Sequence, residues 1–170
     1  MKTLKHLLAI LLLPAMATAA VPAYILHATG WRGFFPTAIS LELGLRLVGI
    51  VFVGAGLTLM IKTISLFARI GKGTLAPWSP TRHLVAQGVY RHVRNPMISG
   101  VFAILLGEAA FFRSPHLLIW FLVFVAVNSI YIPLAEEPEL RKRFGEDYLL
   151  YCKNVSRWIP RLKPWEPPRD

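Results

Sequence analysis

The chain has 170 residues, of which 55% are hydrophobic and only 16% charged, and its formal net charge is +10. Mean hydropathy is +0.50. A soluble domain of this length carries more charge and shorter apolar runs, so the composition excludes that class and indicates an integral membrane protein.

The first uncharged run predicts a membrane-spanning helix over about 7–28. Two lysines in the first five residues and three closely spaced alanines also resemble a secretory signal. We expect a retained helix, because the apolar character continues to Ala28 and reaches spanning length. Pro14 and Pro22 should kink this helix, which membrane proteins tolerate where neighbours satisfy the freed backbone groups.

Three further apolar runs predict spans over about 40–66, 97–113 and 115–135, since roughly 20 apolar residues cross a bilayer. The third of the four spans is the shortest. Glycines recur in the second span and predict close packing against another helix. They are Gly44, Gly49, Gly54 and Gly56.

Positive charge predicts the orientation. With four spans, residues 1–6, 69–96 and 136–170 share one side and hold two, five and eight basic residues, together 15 of the 19. Because cytoplasmic loops are rich in Lys and Arg, both termini should be cytoplasmic, in an inner or plasma membrane. Topology and contact with anionic lipid in the bilayer account for the charge. Nucleic-acid binding is not expected, because no known reading module is present.

Two segments on that side differ in character. Glycines and prolines break residues 71–83 into a long loop, and long ordered loops are often functional. Residues 136–157 instead carry apolar side chains at spacings of three and four, which predicts an amphipathic helix along the cytoplasmic surface. Its expected apolar face consists of Leu140, Phe144, Tyr148, Tyr151 and Val155.

A basic cluster borders the third span. Arg91, His92 and Arg94 suit either a ligand site or a clamp on lipid headgroups. Asn95 and Pro96 are expected at the N-cap and first position of the following helix.

Acidic residues border or enter the spans. Glu136 and Glu137 end the fourth span and suit either the ammonium or hydroxyl groups of a ligand, or a solvated helix end paired with Arg141. Glu108 lies inside the third span, where we expect it to pair with Arg113 or to reach the interface. The sequence contains no metal-ligand constellation.

Three blocks resemble the isoprenylcysteine carboxyl methyltransferase and phospholipid methyltransferase superfamily. They are GKGTLAP from 71, LVAQGVYRHVRNPMISG from 84, and EEPELRKRFGEDYLLYCKNVSRWIPR from 136. The resemblance covers about 71–161 and implies one membrane methyltransferase domain over 1–170. Loop 71–96 and helix 136–157 would bind S-adenosyl-L-methionine at the cytoplasmic face, and the acceptor would be a small or lipidic thiol, carboxylate or amine.

The resemblance also implies individual cofactor-binding positions, without assigning a catalytic residue. These positions are Gly71, Gly73, His83, Leu84, Val85, Tyr90, Arg94, Asn95, Pro96, Met97, Ile98, Glu136 and Glu137.

The chain departs from the superfamily pattern in ways that bear on the acceptor. Asn95 and Ile98 replace the usual histidine and tyrosine of the turn. Ile132 stands where the prenylcysteine enzymes have a substrate-facing arginine, which leaves Asn128 as the strongly polar group of that stretch. Asn128 and Ile132 therefore mark the expected substrate side, and a small or neutral apolar acceptor such as a thiol is favoured over prenylcysteine.

Two other functions stay open from the sequence. Nicotinamide-dependent sterol reductases have a similar membrane architecture, and Arg91 with Arg94 could bind the cofactor phosphate. A non-catalytic membrane protein is the other alternative, supported by Ile98 and Ile132. The sequence fixes neither the acceptor nor the oligomeric state.

Overall fold

The computed structural model describes residues 12–30, 39–70, 84 and 86–166. Within these residues all regular secondary structure is helical, which confirms the predicted all-α class. A 3-10 turn (Gly88–Arg91) precedes the third helix. The helices are α1 (Leu12–Thr29), α2 (Ile39–Ile70), α3 (Pro96–Phe112), α4 (Pro115–Tyr131) and α5 (Glu137–Asn154).

The described helices fit a membrane protein. Three of them are long and apolar enough to cross a bilayer, namely those over Leu12–Thr29, Ile39–Leu66 and the helix that starts at Pro115. Helix α3 is shorter, with 17 residues, or about 26 Å at the usual helical rise. Each of the four predicted spans contains an apolar helix; the first is described from Leu12 onward. Helix α4 also has 17 residues, but it continues into α5, whereas α3 ends at Phe112.

The chain divides into two compact units. The first contains the described residues up to Thr58 together with Gly100–Ala126, and the second contains those of Leu59–Ser99 and Val127–Asp170.

Close backbone contact between α2 and α3 organises the first unit. A Cβ atom built on Gly49 would lie 2.7 Å from the carbonyl oxygen of Gly107, and one on Gly56 would lie 2.5 Å from that of Gly100. The two contacts run in opposite directions along the helices, so α2 and α3 are antiparallel neighbours. Small residues permit this approach, as expected for helices in lipid.

The other two glycines of α2 do not serve this purpose. Within the described part of the chain, Gly44 and Gly54 have no atom within 4 Å of a built Cβ, so their predicted role in close packing is wrong. Both lie on the exposed side of the helix. The side that faces α3 carries Gly49, Val53 and Gly56, at spacings of four and three residues.

Pro22 changes the backbone hydrogen bonding of α1. The segment Met16–Ala20 forms a π turn, in which the N–H of Val21 donates to a carbonyl five residues earlier. The next residue, Pro22, has no N–H to continue this pattern. The carbonyl of Ala17, which Pro22 leaves free, accepts instead from Nε1 of Trp120 on α4 at 3.1 Å. A neighbouring helix thus satisfies the freed carbonyl, as expected.

A second π turn, Ile132–Glu136, joins α4 to α5 and also precedes a proline, Pro138. The helix is continuous from Pro115 to Asn154, so the fourth span and the amphipathic helix are not separated by a loop. Inside α5, Gly145 adopts φ 55° and ψ −130°, a conformation open to glycine, and bends the helix.

The apolar face of α5 forms the core of the second unit. Tyr148, Tyr151 and Val155 are buried, and Leu140 and Phe144 pack against them, which confirms the predicted face. Leu84 and Trp165, from outside the helix, cover the same cluster. The helix ends at Asn154, three residues earlier than predicted.

The glycine contacts generate a matched test. We expect Gly56→Ala to destabilise the protein by about 1–3 kcal/mol, because the added methyl group must displace backbone atoms of α3. Gly54→Ala, two residues away, should be neutral or stabilising by up to about 1 kcal/mol, since alanine favours the helix and meets no neighbour. Unfolding in a mild detergent measures both, and equal stability of the two variants would contradict the packing argument.

Candidate functional site

Among the described acids of the second unit, Glu137 has the largest number of ion-pair partners. It begins α5, and only 4% of its side chain is exposed. Arg157 donates from Nε to Oε1 at 2.7 Å and from Nη2 to Oε2 at 3.0 Å, a bidentate pair. Arg94 adds a bond from Nη1 to Oε1 at 3.0 Å. A buried carboxylate is tolerated when several hydrogen bonds and opposite charges satisfy it, and this arrangement meets that requirement.

These arginines decide the protonation state of Glu137. Burial alone would raise the pKa of the carboxyl group. The hydrogen bond from Arg157 and the positive charges of Arg94, Arg157 and Arg141 outweigh burial and hold the pKa of Glu137 below its usual value. Arg141, the partner expected from i, i+4 spacing, is the most distant of the three at 3.9 Å.

Glu136 has a different environment. It is exposed, and no ion pair joins it to any residue that the structure describes. Although the residue is exposed at the surface, partial desolvation of its carboxyl group, together with the negative charges of Glu137 and Glu139, raises the pKa of Glu136. Of the two adjacent acids, Glu137 is paired inside the protein, and Glu136 has no ion-pair partner among the described residues.

The 3-10 turn Gly88–Arg91 lies beside Glu136. Burial raises the pKa of Tyr90, and the nearby Tyr151 hydroxyl and Glu136 carboxylate raise it further, so the Tyr90 phenol stays neutral. The hydroxyl of Tyr151 donates to the carbonyl of Tyr90 at 2.6 Å and fixes the turn against α5. The second unit thus brings the Tyr90 turn and the acidic pair together.

The neighbouring predicted positions start helix α3. The carbonyl of Asn95 accepts from the N–H of Ser99 at 2.9 Å, and the helix begins at Pro96, which matches the expected capping arrangement. Met97 and Ile98 are half-buried in the first turn.

Other predicted positions are less accessible or lie elsewhere. Leu84 packs against the buried cluster of α5. On the predicted substrate side, Asn128 is half-buried, whereas Ile132 is only 2% exposed. Four predicted positions fall outside the described residues. They are Gly71, Gly73, His83 and Val85.

The basic cluster holds a segment that the sequence did not suggest. We call residues 156–166 the C-terminal strap. Arg91 donates from Nε to the carbonyl of Trp165 at 2.6 Å and pairs with Glu166 at 3.0 Å. Nδ1 of His92 lies 2.8 Å from the carbonyl oxygen of Arg161. Most of these partners are backbone carbonyl groups, and a sequence pattern does not predict which side chain will bind a given carbonyl.

Arg157 was also missed by sequence reasoning. It follows Glu137 by 20 positions, across the bend at Gly145, and the chain offers several other bases at similar distances. One of the two environments expected for Glu108, a pair with Arg113, is not found among the described residues. Arg113 pairs with Glu42 at 3.2 Å, and Oε2 of Glu108 is buried without a hydrogen-bond partner in the part of the chain described.

Comparison with known proteins places the chain in a family. Residues 45–147 match the family model described as phospholipid methyltransferase, and this match covers more than half of the chain. The chain therefore belongs to the phospholipid methyltransferase family, a family of membrane methyltransferases.

A methanethiol S-methyltransferase from Pseudomonas deceptionensis is 36% identical over 78 residues, which are 44% of this chain and 28% of that protein. The matched region thus spans well under two thirds of that relative. No solved structure matches the chain.

The two acids should differ sharply in their effect on stability. Glu137→Gln leaves Arg94, which is largely buried, and Arg157, which is partly buried, without an anion, so we expect a loss of about 3 kcal/mol or more. Glu136→Gln, one residue earlier, should change stability by less than about 0.5 kcal/mol, because it breaks no ion pair among the described residues. Thermal or denaturant unfolding in detergent distinguishes them, and a similar loss in both variants would refute the assignment.

The stability contribution of Glu137 should depend on pH. Its pKa is lowered in the folded protein, so the contribution is complete above the unfolded value of about 4.3 and is lost as pH falls through the folded value. The difference in unfolding free energy between the parent and Glu137→Gln should therefore be largest at neutral pH and shrink below about pH 4. A constant difference across that range would contradict the ion-pair assignment.

Proposed function

We propose that this membrane methyltransferase uses S-adenosyl-L-methionine, held between the Tyr90 turn and Glu136 at the cytoplasmic face. The proposal rests on the contrast between the two acids. Both carboxylate oxygens of Glu137 are occupied by ion pairs with arginines, whereas Glu136 is exposed and unpaired among the described residues. The proposed cofactor carries an ammonium group, a sulfonium and ribose hydroxyls, all of which suit an available carboxylate.

The polar groups around Glu136 fit such a ligand. Arg94 neutralises Glu137, so the pair as a whole does not carry two uncompensated negative charges. The Nε atom of Arg94 is buried and has no hydrogen-bond partner within the described residues, which leaves one donor for an acceptor group. The superfamily resemblance supports extending the site to Gly71, Gly73, His83 and Val85, and to the turn Asn95–Ile98.

The bound cofactor would supply an electrophilic methyl group on sulfur. The contribution of the chain is then positioning and exclusion of water rather than strong acid–base catalysis. Glu136 orients the donors of the cofactor, and Tyr151 keeps the Tyr90 turn in place through its 2.6 Å bond. A thiol acceptor reacts as its thiolate. The thiol proton therefore passes to solvent as the methyl group is transferred from the sulfonium to the acceptor sulfur.

A small thiol is the acceptor class that we favour, with lipidic acceptors next. Ile132, where the prenylcysteine enzymes have arginine, is apolar and buried, so it offers no cation to a prenylcysteine carboxylate. The partial similarity to a methanethiol S-methyltransferase supports the same choice. Both observations bear on the acceptor alone. The proposal that S-adenosyl-L-methionine binds at Glu136 does not depend on which acceptor is used.

The nicotinamide-dependent reductase alternative has less support than methyl transfer. Binding of a nicotinamide phosphate would need free cations, but Arg91 pairs with Glu166 and Arg94 with Glu137. Family membership further favours methyl transfer over reduction.

Cofactor binding is testable at Glu136. We expect Glu136→Gln to weaken S-adenosyl-L-methionine binding by about 1.5–3 kcal/mol, or roughly ten- to a hundredfold, because a charged hydrogen-bond acceptor is lost. Equilibrium dialysis on detergent-solubilised protein measures this. Glu139→Gln, a nearby exposed acid, is the control and should bind normally. Unchanged affinity in Glu136→Gln would remove Glu136 from the site.

The acceptor is testable by competition. Methyl transfer from labelled cofactor should be faster to small alkyl thiols, or to lipids, than to a farnesylcysteine analogue at matched concentration. The missing charge-assisted contact accounts for roughly ten- to a hundredfold discrimination. Efficient methylation of the farnesylcysteine carboxylate, with no turnover of thiols or lipids, would overturn the acceptor proposal while leaving cofactor binding intact.

A further inference from the structure

The C-terminal strap exposes large apolar side chains to solvent. Ile159 is 77% exposed and Leu162 is 98% exposed. Proteins bury such side chains where they can, because apolar surface is costly in water. Two exposed apolar side chains that lie three residues apart indicate that this surface of the strap contacts an apolar partner.

The backbone beside these residues is firmly held. The N–H of Arg161 donates to the carbonyl of His92 at 2.9 Å, and that of Trp165 donates to the carbonyl of Arg91 at 2.9 Å. These bonds bracket Leu162 on both sides. Pro160 and Pro164 further restrict the chain. The exposure of Leu162 is therefore a property of a defined loop and not of a frayed end.

The strap is also basic. Its basic residues are Arg161, Lys163 and Arg157, the last of which is paired with Glu137. Its single acid, Glu166, is paired with Arg91 at 3.0 Å. Lys163 is exposed next to Leu162. Apolar side chains adjoining uncompensated positive charge complement a bilayer surface that contains anionic lipid.

We propose that the C-terminal strap inserts Ile159 and Leu162 into the headgroup layer of an anionic bilayer surface, with Lys163 at the lipid phosphates. Because the chain is itself anchored in a membrane, this surface is present at high effective concentration. The inference does not depend on the proposed methyl-transfer reaction.

The test uses the full chain in lipid nanodiscs. An environment-sensitive fluorophore is attached to Leu162→Cys in a Cys152→Ser background, since Cys152 is the single cysteine. In discs containing anionic lipid, brominated acyl chains should quench this probe. A probe at Glu146→Cys, an exposed polar position of α5, serves as the control and should not be quenched.

Charge is tested in the same discs. Lys163→Gln should shift the insertion equilibrium about fivefold toward the unquenched state, the effect expected for one basic residue near an anionic surface. Lys142→Gln, an exposed lysine of α5, should have a smaller effect. Quenching that is equal in anionic and purely zwitterionic discs would overturn the proposal, because the proposal depends on charge complementarity.

A second measurement needs no substitution. Hydroxyl-radical footprinting of the unaltered chain should show less oxidation of Ile159 and Leu162 in anionic than in zwitterionic discs. Full oxidation in both lipids would refute insertion. A probe at position 162 that is shielded from water but not quenched by brominated lipid would refute it as well, since protein would then cover the strap.

Discussion

The second unit depends on the ionised carboxylate of Glu137. Three chain segments meet there: the turn that precedes α3, the start of α5 and the C-terminal strap, through Arg94, Glu137 and Arg157. None of these charges could be buried alone at a tolerable cost, but together they satisfy one another. The ion-pair cluster therefore determines how the polar segments of this unit come together, while the tyrosines of α5 supply its apolar core.

The neighbouring Glu136 shows how a local change in helical geometry separates two identical side chains. Adjacent residues of a helix already point in different directions, and the π turn that ends at Glu136 inserts an additional residue into the turn. One acid faces the arginines and the other remains accessible. Such turns are frequent at functional sites, which agrees with the role proposed for Glu136.

Much of the architecture was predictable because bilayer thickness imposes it. The uncharged apolar runs of the sequence predicted the spanning helices, and the spacing of Leu140, Phe144 and Tyr148 predicted the buried face of α5. Individual glycines were not predictable, since composition cannot tell that Gly56 faces α3 while Gly54 does not.

The site was predictable only in outline. The family motifs drew attention to the blocks around Tyr90 and Glu136, which lie in one unit, and the cofactor-binding role of both blocks stays a prediction. The partners of Glu137 and the strap were not found, because they are long-range contacts, many of them to backbone carbonyls. No local periodicity or motif encodes such contacts.

The bond between Trp120 and Ala17 has a consequence for sequence variation. Because the acceptor is a backbone carbonyl, the side chain at position 17 is not needed for the bond, and other small residues are acceptable there. The donor is an indole N–H that no aliphatic or phenyl side chain replaces. Change at position 120 should therefore be constrained for as long as Pro22 is present, and homologues that lose this proline should be free to lose the tryptophan as well.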